Sequence, residues 1–228
     1  MNLLAFDTAT EACSAALATP EGIHTRAVEA PREHGDRLLA MIDELLDEAA
    51  LTAAELDLLA YGRGPGAFTG VRIAVGAVQG IAFAQQLPVI GVSTLAALAQ
   101  GALRRHGQER VAAAIDARMG EVYWGAFVAD GAGLMQPVVA EAVAAPGGVE
   151  APPGTGWCGI GTGWETHGAA LSERLGAALA VDLGRALPDA GDMLPLAQAA
   201  HARGEAVSAA EALPVYLRDR VAEKPRPR

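Results

Sequence analysis

The chain has 228 residues, of which 51% are hydrophobic and 19% are charged, a balance that excludes a disordered chain and is typical of a compact globular protein. Its formal net charge of -10 repels phosphate backbones, so autonomous nucleic-acid binding is not expected. Two cysteines are too few for a disulfide scaffold.

The first residues, MNLLAFDTA, place an acid where a secretory signal needs an apolar core, so we expect a cytoplasmic protein. Residues 73–103 contain no charged side chain, which raises the alternative of a membrane-spanning segment. Pro88, Gly91 and four glutamines interrupt this stretch. We therefore expect no membrane insertion.

The first half of the chain predicts three strands in succession, followed by helices that alternate with strands, in the order βββαβαβα. The third helix has Ser93 or Thr94 as its cap. The predicted strands are Leu3 to Asp7, Cys13 to Ala18, Ile23 to Ala30, Leu56 to Gly62 and Val89 to Val92, and the predicted helices are 35–50, 70–86 and 94–106.

The second half of the chain begins a similar order again. In each half an apolar strand ends at an acid, Asp7 or Asp116, and an alternating strand follows shortly after it. The later predicted strands are Val111 to Asp116, Glu121 to Ala129, Val138 to Ala142, Trp157 to Ile160 and Ala180 to Leu183, and the later helices are 165–176 and 192–203. We therefore predict an N-terminal lobe over residues 1–106, which carries the docking helices described below, and a C-terminal lobe over residues 107–228.

Two βββαβα lobes of this kind resemble the actin-like (RNase H-like, ASKHA) architecture. The predicted fold class is therefore α/β, with each lobe a mixed β-sheet flanked by helices. The alternative is an unrelated α/β sheet whose aspartates merely end strands.

The segment GRGPGA, residues 62–67, follows a predicted strand and precedes a predicted helix, which is the context of a dinucleotide-binding loop. Residues 80–92 offer no acid to hold a ribose, and Pro65 removes a backbone N–H that a phosphate would need. The Lys-Ser/Thr pair of a P-loop is also missing. We instead expect a turn at Pro65 and Gly66 and a helix capped by Thr69.

Helices 35–50 and 70–86 carry more apolar surface than a helix needs to cover one sheet. The second has an apolar valine face and another face of mostly small residues. Because each exposed valine or isoleucine forgoes about 1.5 to 3 kcal/mol of burial, we predict that the helices lie side by side and leave an apolar strip for a partner protein. The alternative is that the chain buries this surface itself. The predicted interface residues are Leu38, Leu39, Ile42, Leu45, Leu46, Val71, Arg72, Val75, Val78 and Gln79.

Four segments carry recognisable motifs: LAFDTATE at 4–11, RGPGAFTGVRI at 63–73, IDARMGEVY at 115–123 and PVYLR at 214–218. Together they resemble the TsaB (YeaZ) family over nearly the whole chain. The G-P-G-x-F-T-G-x-R segment is the specific one, and the others support it by their order and spacing.

The resemblance implies a non-catalytic, glycoprotease-like (peptidase M22-like) member of the actin-like ATPase superfamily. It implies the role of bacterial partner to TsaD, which makes threonylcarbamoyladenosine (t6A) beside the anticodon of tRNAs that read codons starting with A. It also implies TsaD and TsaE as partners, and homodimerisation through the helices of the first lobe.

A metal-dependent transferase needs clustered ligands, commonly two histidines four apart on one helix face. The histidines of this chain, at positions 24, 34, 106, 167 and 201, do not show that spacing. In the resemblance to TsaD, Thr94 and Leu98 stand where that enzyme has its pair of histidines. We therefore expect no metal site and no catalysis by this chain.

Asp7 and Asp116 stand where an actin-like kinase would orient magnesium or water, and Gly161 and Gly163 lie in a turn suited to a phosphate. Each also has a structural explanation, because strand-terminal aspartates accept backbone N–H bonds and such glycines make tight turns into helices. We expect Arg118 to pair with Asp116. The sequence thus predicts no cofactor, with ATP or ADP bound only at an interface shared with partners.

Two functions are compatible with these features. The first is a scaffold that docks TsaD through the first-lobe helices and activates it. The alternative is a stand-alone actin-like ATPase or small-molecule kinase, which ATP turnover by the pure chain would favour.

Overall fold

The computed structural model describes residues 1–218. Within this range two five-stranded sheets are flanked by five α-helices. The strands of the first sheet are β1 (Leu3–Asp7), β2 (Ala12–Thr19), β3 (Gly22–Glu29), β4 (Leu58–Gly62) and β5 (Val89–Val92). Those of the second are β6 (Arg110–Arg118), β7 (Glu121–Ala129), β8 (Met135–Ala144), β9 (Trp157–Ile160) and β10 (Leu179–Asp182). The helices are α1 (His34–Glu48), α2 (Phe68–Gln85), α3 (Thr94–His106), α4 (Thr162–Leu175) and α5 (Ala190–Ala202).

Both sheets have the same strand order. The first runs β3-β2-β1-β4-β5, and the second, taken in the same sense, runs β8-β7-β6-β9-β10. In each, the first three strands in sequence pair antiparallel, and the last two continue parallel to the first. This repeated topology confirms the predicted α/β fold of two actin-like lobes.

The strands at the centre of the first sheet are apolar throughout because both faces of the sheet are covered. In β1, Leu4 and Phe6 contact one core cluster, and Leu3 and Ala5 contact the cluster on the opposite face. Helices α1 and α2 cover the first face, and α5 covers the second. The alternation expected of a strand exposed on one face is seen instead in β3, at the edge of the sheet.

The two lobes exchange a helix, which the sequence division did not anticipate. The predicted boundary places α5 in the C-terminal lobe, but Met193, Leu194 and Ala197 of this helix pack against the first sheet. Helix α3 stands between the lobes, because Leu95 and Leu98 contact the core of the second sheet while other residues of α3 contact α5. A boundary between residues 106 and 107 therefore separates the two sheets, but each sheet is covered in part by a helix from the other side of that boundary.

The prediction that the interface residues form an exposed strip is wrong for most of them. Leu39 and Arg72 are exposed, and the side-chain amide of Gln79 is partly buried and donates to the Ala212 carbonyl at 2.9 Å. The others lie in the core beneath α1 and α2, because these faces of the helices cover the first sheet. These buried residues are Leu38, Ile42, Leu45, Leu46, Val71, Val75 and Val78.

The outward face of α2 is its face of small residues. Gly76 and Gly80 are exposed, Ile73 and Ala77 are partly buried, and Phe83 is 82% exposed. No α-helix within residues 1–218 combines the length and hydropathy needed to span a bilayer.

The start of α2 lies directly on the turn after β1. A Cβ on Gly66 would stand 2.2 Å from the Ala9 carbonyl oxygen, and a Cβ on Gly70 would stand 1.9 Å from that of Thr8. The cap of α2 is Ala67, without a side-chain hydrogen bond, so the prediction of a Thr69 cap is wrong. Ser93 does cap α3, since its hydroxyl accepts from the backbone N–H of Ala96.

Two kinds of glycine in α2 give opposite expectations for an alanine substitution. Gly70→Ala should destabilise the chain by about 2 kcal/mol or more, because the new methyl group meets a carbonyl oxygen. Gly76→Ala should stabilise the chain by about 0.5–1 kcal/mol, because its Cβ meets open space in a helix interior. Urea denaturation followed by circular dichroism measures both, and equal midpoints for the two variants would contradict the contact.

Candidate functional site

A cleft of about 670 Å³ lies between the two lobes, a size typical of ligand-binding sites. Its walls are residues 8–11 after β1, the start of α2, the turn between β6 and β7, and residues 215–218. Most of the lining is apolar. Because the lining is mostly apolar, the few polar groups of the cleft decide what it can hold.

Asp7 lies beneath the cleft rather than in its wall. Its side chain is buried, the Ala9 backbone N–H donates to Oδ1 at 2.7 Å, and the Thr94 hydroxyl donates to Oδ2 at 3.1 Å. A Cβ on Gly62 would stand 1.8 Å from Oδ2, so nothing further fits on that side. Burial raises the pKa of this carboxyl, against the weaker effect of the two hydrogen bonds. Asp7 thus joins β1, β4 and α3.

The turn after β1 uses polar groups to hold the chain together. The Thr8 hydroxyl donates to the Gly70 carbonyl at 2.7 Å, and the Ala67 N–H donates to the Ala9 carbonyl at 2.7 Å. The buried His34 places Nε2 2.9 Å from the Thr10 carbonyl oxygen. These groups are therefore bound within the fold and are not offered to a phosphate.

Asp116 does line the cleft, and an ion pair compensates the charge of its carboxylate there. The backbone N–H of Arg118 donates to Oδ1 at 2.8 Å and its guanidinium donates to Oδ2 at 3.0 Å, which confirms the expected ion pair. The same guanidinium reaches Glu11 of the other lobe at 3.1 Å. Arg118 therefore links the two lobes across the cleft.

Gly161 and Gly163 lie outside the wall of the cleft, at the start of α4. A Cβ on Gly161 would stand 2.1 Å from the Ala114 carbonyl oxygen, and one on Gly163 would stand 2.8 Å from the Ala114 Cβ. The close approach of α4 to β6 therefore accounts for both glycines.

Thr94 and Leu98, the positions that the resemblance matches to the histidines of TsaD, are both fully buried in α3. Over residues 1–218, no cluster of three or more His, Cys, Asp or Glu side chains has the proximity needed to bind a metal ion. The Thr94 hydroxyl is bound to Asp7, so this end of α3 serves the packing of the lobes.

The segment after α5 returns to the cleft, which sequence reasoning missed. The Val215 N–H donates to the Arg63 carbonyl at 2.8 Å, and Tyr216 accepts from Arg72 at 2.8 Å. Arg218 pairs with Glu121 of the second lobe. The PVYLR motif was the available signal, but it carries no periodicity that would place it in space.

Comparison with known proteins agrees with the motifs. The family model described as "TsaD: tRNA N6-adenosine threonylcarbamoyltransferase" matches residues 14–225. The Escherichia coli (strain K12) tRNA threonylcarbamoyladenosine biosynthesis protein TsaB is 45% identical over 230 residues, which cover 100% of this chain and 99% of the relative. The chain belongs to the TsaB (YeaZ) family. The TsaB protein of Haemophilus influenzae is 41% identical over 100% of this chain and 98% of its own length.

Solved structures of the TsaB (YeaZ) family have the same fold. Pseudomonas aeruginosa YeaZ is 51% identical, with a TM-score of 0.87 over 95% of this chain and 99% of its own. A second structure from that organism, described as an uncharacterized protein with similarity to peptidase YeaZ, gives a TM-score of 0.88 at 51% identity and the same coverage. These matches confirm both the resemblance and the two-lobed fold.

The buried Asp7 should leave a signature in the pH dependence of stability. Because its folded pKa is raised, the stability linked to its protonation is complete below the ordinary value of 3.8 and is lost as pH rises through the folded pKa. The Asp7→Asn variant has no carboxyl group at this position, so its stability does not fall with pH for this reason. The free energy of unfolding of the variant minus that of the parent chain should therefore increase with pH, as measured by urea denaturation from about pH 4 to about pH 8.

Asp130→Asn is the matched control for this measurement. Hydrogen bonds from the Leu134 and Ala132 backbones and from Gln136 hold the pKa of Asp130 below its usual value, against a smaller effect of burial. Its stabilising effect is present above the unfolded pKa of 3.8 and is lost only as pH falls through the lower folded pKa, so the difference for this variant should change little from about pH 4 to about pH 8. A flat difference for Asp7→Asn would contradict a raised pKa.

Proposed function

We propose that this chain is a non-catalytic subunit in the biosynthesis of tRNA threonylcarbamoyladenosine, and that it binds and activates a TsaD-type threonylcarbamoyltransferase. It does so through the outward faces of α2 and α1. The observation that carries the proposal is the uncharged, glycine-containing outer face of α2, for which residues 1–218 provide no cover.

The biological context of the proposal rests on the relatives. Two proteins that align over the whole chain are named for tRNA threonylcarbamoyladenosine biosynthesis. The matching family model carries the name of the transferase itself. A transferase and a relative without its histidine pair are the expected members of a catalytic and supporting subunit pair.

The non-catalytic role is supported by what the acids of the cleft contact. Asp7 is buried beneath Gly62, and Asp116 is matched by Arg118. Neither carboxylate is left to orient a metal-bound phosphate, which an actin-like ATPase requires of its strand-terminal acids. The glycines after β9 pack on Ala114 instead of facing the cleft. This arrangement favours a scaffold over a stand-alone ATPase or kinase.

The docking role is supported by the chemistry of the α2 outer face. After Arg72 the helix has no charged residue, and two of its exposed positions are glycines four apart, Gly76 and Gly80. A glycine in a helix interior costs about 0.5–1 kcal/mol relative to alanine, and no atom in the described part of the chain would crowd a Cβ at either position. Small residues let a partner helix approach closely, so a partner accounts for glycines that the fold does not need.

Two large apolar side chains border the same surface. Phe83 is 82% exposed near the end of α2, and Leu39 is 55% exposed on α1, which packs beside α2. Burying such side chains stabilises an interface by about 1.5–3 kcal/mol each. Of the predicted interface residues, Leu39 and Arg72 are exposed. The docking face that we propose consists of these two residues and the small-residue face of α2, and the buried valines pack beneath it.

The partners in this proposal are the TsaD-type transferase, TsaE and a second copy of this chain. One face can serve both the transferase and self-association, because the two compete for the same apolar surface. ATP or ADP enters only at a surface shared with partners, and the cytoplasm is the compartment where the complex acts.

Substitution of the α2 glycines tests the docking surface. Gly76→Leu and Gly80→Leu should fold, because both side chains point into open space, but should hold the partner helix away. We expect the affinity for TsaD from the same cell to fall at least tenfold, about 1.4 kcal/mol, in isothermal titration calorimetry. Ala169→Leu, at an exposed position of α4 in the other lobe, is the matched control and should bind like the parent chain.

Charged variants at Val75 or Val78 cannot serve this purpose, because both side chains are buried against the sheet and a charge there unfolds the chain. If both leucine variants bind TsaD with unchanged affinity, the outer face of α2 is not the interface.

An assay for ATP hydrolysis tests the non-catalytic role. The purified chain should not hydrolyse ATP, because no acid of its cleft is free to orient the reacting groups. A coupled assay for ADP release checks this. Turnover that disappears in Asp7→Asn would instead establish the stand-alone ATPase.

A further inference from the structure

The mouth of the interlobe cleft exposes large apolar side chains. We define the mouth by Arg32, Phe68, Arg72, Met119 and Tyr216. Phe68 is 51% exposed and Met119 is 82% exposed, while Tyr216 is 43% exposed with its ring centre 5.5 Å from that of Phe68. Apolar side chains grouped at the entrance of an apolar cavity indicate a surface that is covered in the working protein.

Unfavourable backbone conformations concentrate at the same place. Over residues 1–218, five residues other than glycine have positive φ, and two of them, Ala50 and Gln86, directly end helices. The other three are Arg32 at 74°, Arg118 at 62° and Met119 at 57°, and all line the cleft. Side chains disfavour this conformation. Met119 and Gly120 form the two-residue turn between β6 and β7, which requires positive φ at both positions, and this turn holds the Met119 side chain outward.

The mouth is also a locally positive part of an acidic protein. Among residues 1–218, neither Arg32 nor Arg72 lies within ion-pair distance of a carboxylate, although the chain has a formal net charge of -10. Arg72 stacks over the Phe68 ring at 3.8 Å and donates to the Tyr216 hydroxyl. The first turn of α2 contains no acidic residue, so the positive end of the helix dipole adds to this charge.

From these observations we propose that the cleft mouth binds an acidic peptide segment of a partner protein, with one large apolar side chain of the peptide inserted in the cleft. A compact ligand that filled the cleft would leave Met119 and Phe68 uncovered. An extended segment that crosses the mouth covers both and brings its acids beside Arg32 and Arg72. The stacked guanidinium and aromatic rings suit the flat backbone and carboxylates of such a segment.

A nucleotide is a poorer occupant of the same space. The Thr8 hydroxyl and the Ala67 N–H, which could donate to a phosphate, are already bound within the fold, and Asp116 is matched by Arg118. A nucleotide phosphate would therefore lack these two donors, and its magnesium ion would lack a free carboxylate ligand.

This surface overlaps the docking face proposed for the transferase only at Arg72. Phe68 and Phe83 stand 15 residues apart on α2, which is about 22 Å along the helix. Arg32 and Met119 lie outside α2 altogether. Variants at Arg32 and Met119 therefore test the peptide site without altering the docking face.

Fluorescence polarisation on the full chain tests the proposal. The probe is a labelled seven-residue peptide that alternates glutamate with leucine or phenylalanine, and its counterpart replaces each glutamate by lysine. We expect saturable binding of the acidic peptide and at least tenfold weaker binding of the lysine peptide. Arg32→Glu and Met119→Ser should each weaken the acidic peptide at least fivefold, and both residues are exposed, so the fold should persist.

Arg203→Glu supplies the control, because it makes the same change of charge at an exposed position after α5. It should alter peptide affinity less than twofold, and Gly80→Leu should not alter it at all. The proposal is overturned if the acidic peptide shows no saturable binding, if the lysine peptide binds equally, or if Arg203→Glu weakens binding as much as Arg32→Glu. Displacement of the peptide by magnesium-ADP would assign the cleft to a nucleotide instead.

Discussion

The contact of the α2 start with the turn after β1 is the constraint around which the first lobe is arranged. Gly66 and Gly70 bring backbone directly against the carbonyl oxygens of Ala9 and Thr8, at distances where a single added carbon would collide. Because backbone meets backbone, the position of α2 is set at its first turn and does not depend on side-chain fit alone. The helix then runs over β4 and places its valines in the core, while its other face points outward.

That geometry also explains why the glycine-rich stretch resembles a phosphate loop without acting as one. In a phosphate loop, glycines let the backbone approach a ligand. Here they let it approach the neighbouring strand turn, which binds the Thr8 hydroxyl and the Ala9 carbonyl within the fold. The contact that builds this wall of the cleft therefore also engages the Thr8 hydroxyl and the Ala67 N–H, two donors that could otherwise bind a phosphate.

The lobes are held together by an exchange of helices and by buried charge. Asp192 of α5 is fully buried, with Arg104 and Arg105 of α3 at 2.6 and 3.0 Å. A buried carboxylate without its partners is strongly destabilising, so this group specifies how α3 and α5 cross. Arg118 makes a further link between the lobes across the cleft. Two surfaces of different chemistry remain exposed, namely an uncharged helix face with glycines and an arginine-lined cleft mouth with aromatic rings.

The sequence by itself determined the order of the elements and its approximate repeat, because strand and helix periods are local and the apolar runs of β1 and β4 can only be buried, while the two-lobed architecture was predicted from a resemblance. Its motifs also indicated the family. It did not determine which face of α2 is buried, since Val75 and Gly76 are adjacent and both faces lack charge. Only the tertiary structure decided that, because the sheet needs large side chains beneath the helix and the glycines are left outside. The cleft mouth likewise joins Arg32, Phe68, Met119 and Tyr216, which are distant in the chain and meet only when α5 crosses to the first lobe and returns the final segment to the cleft.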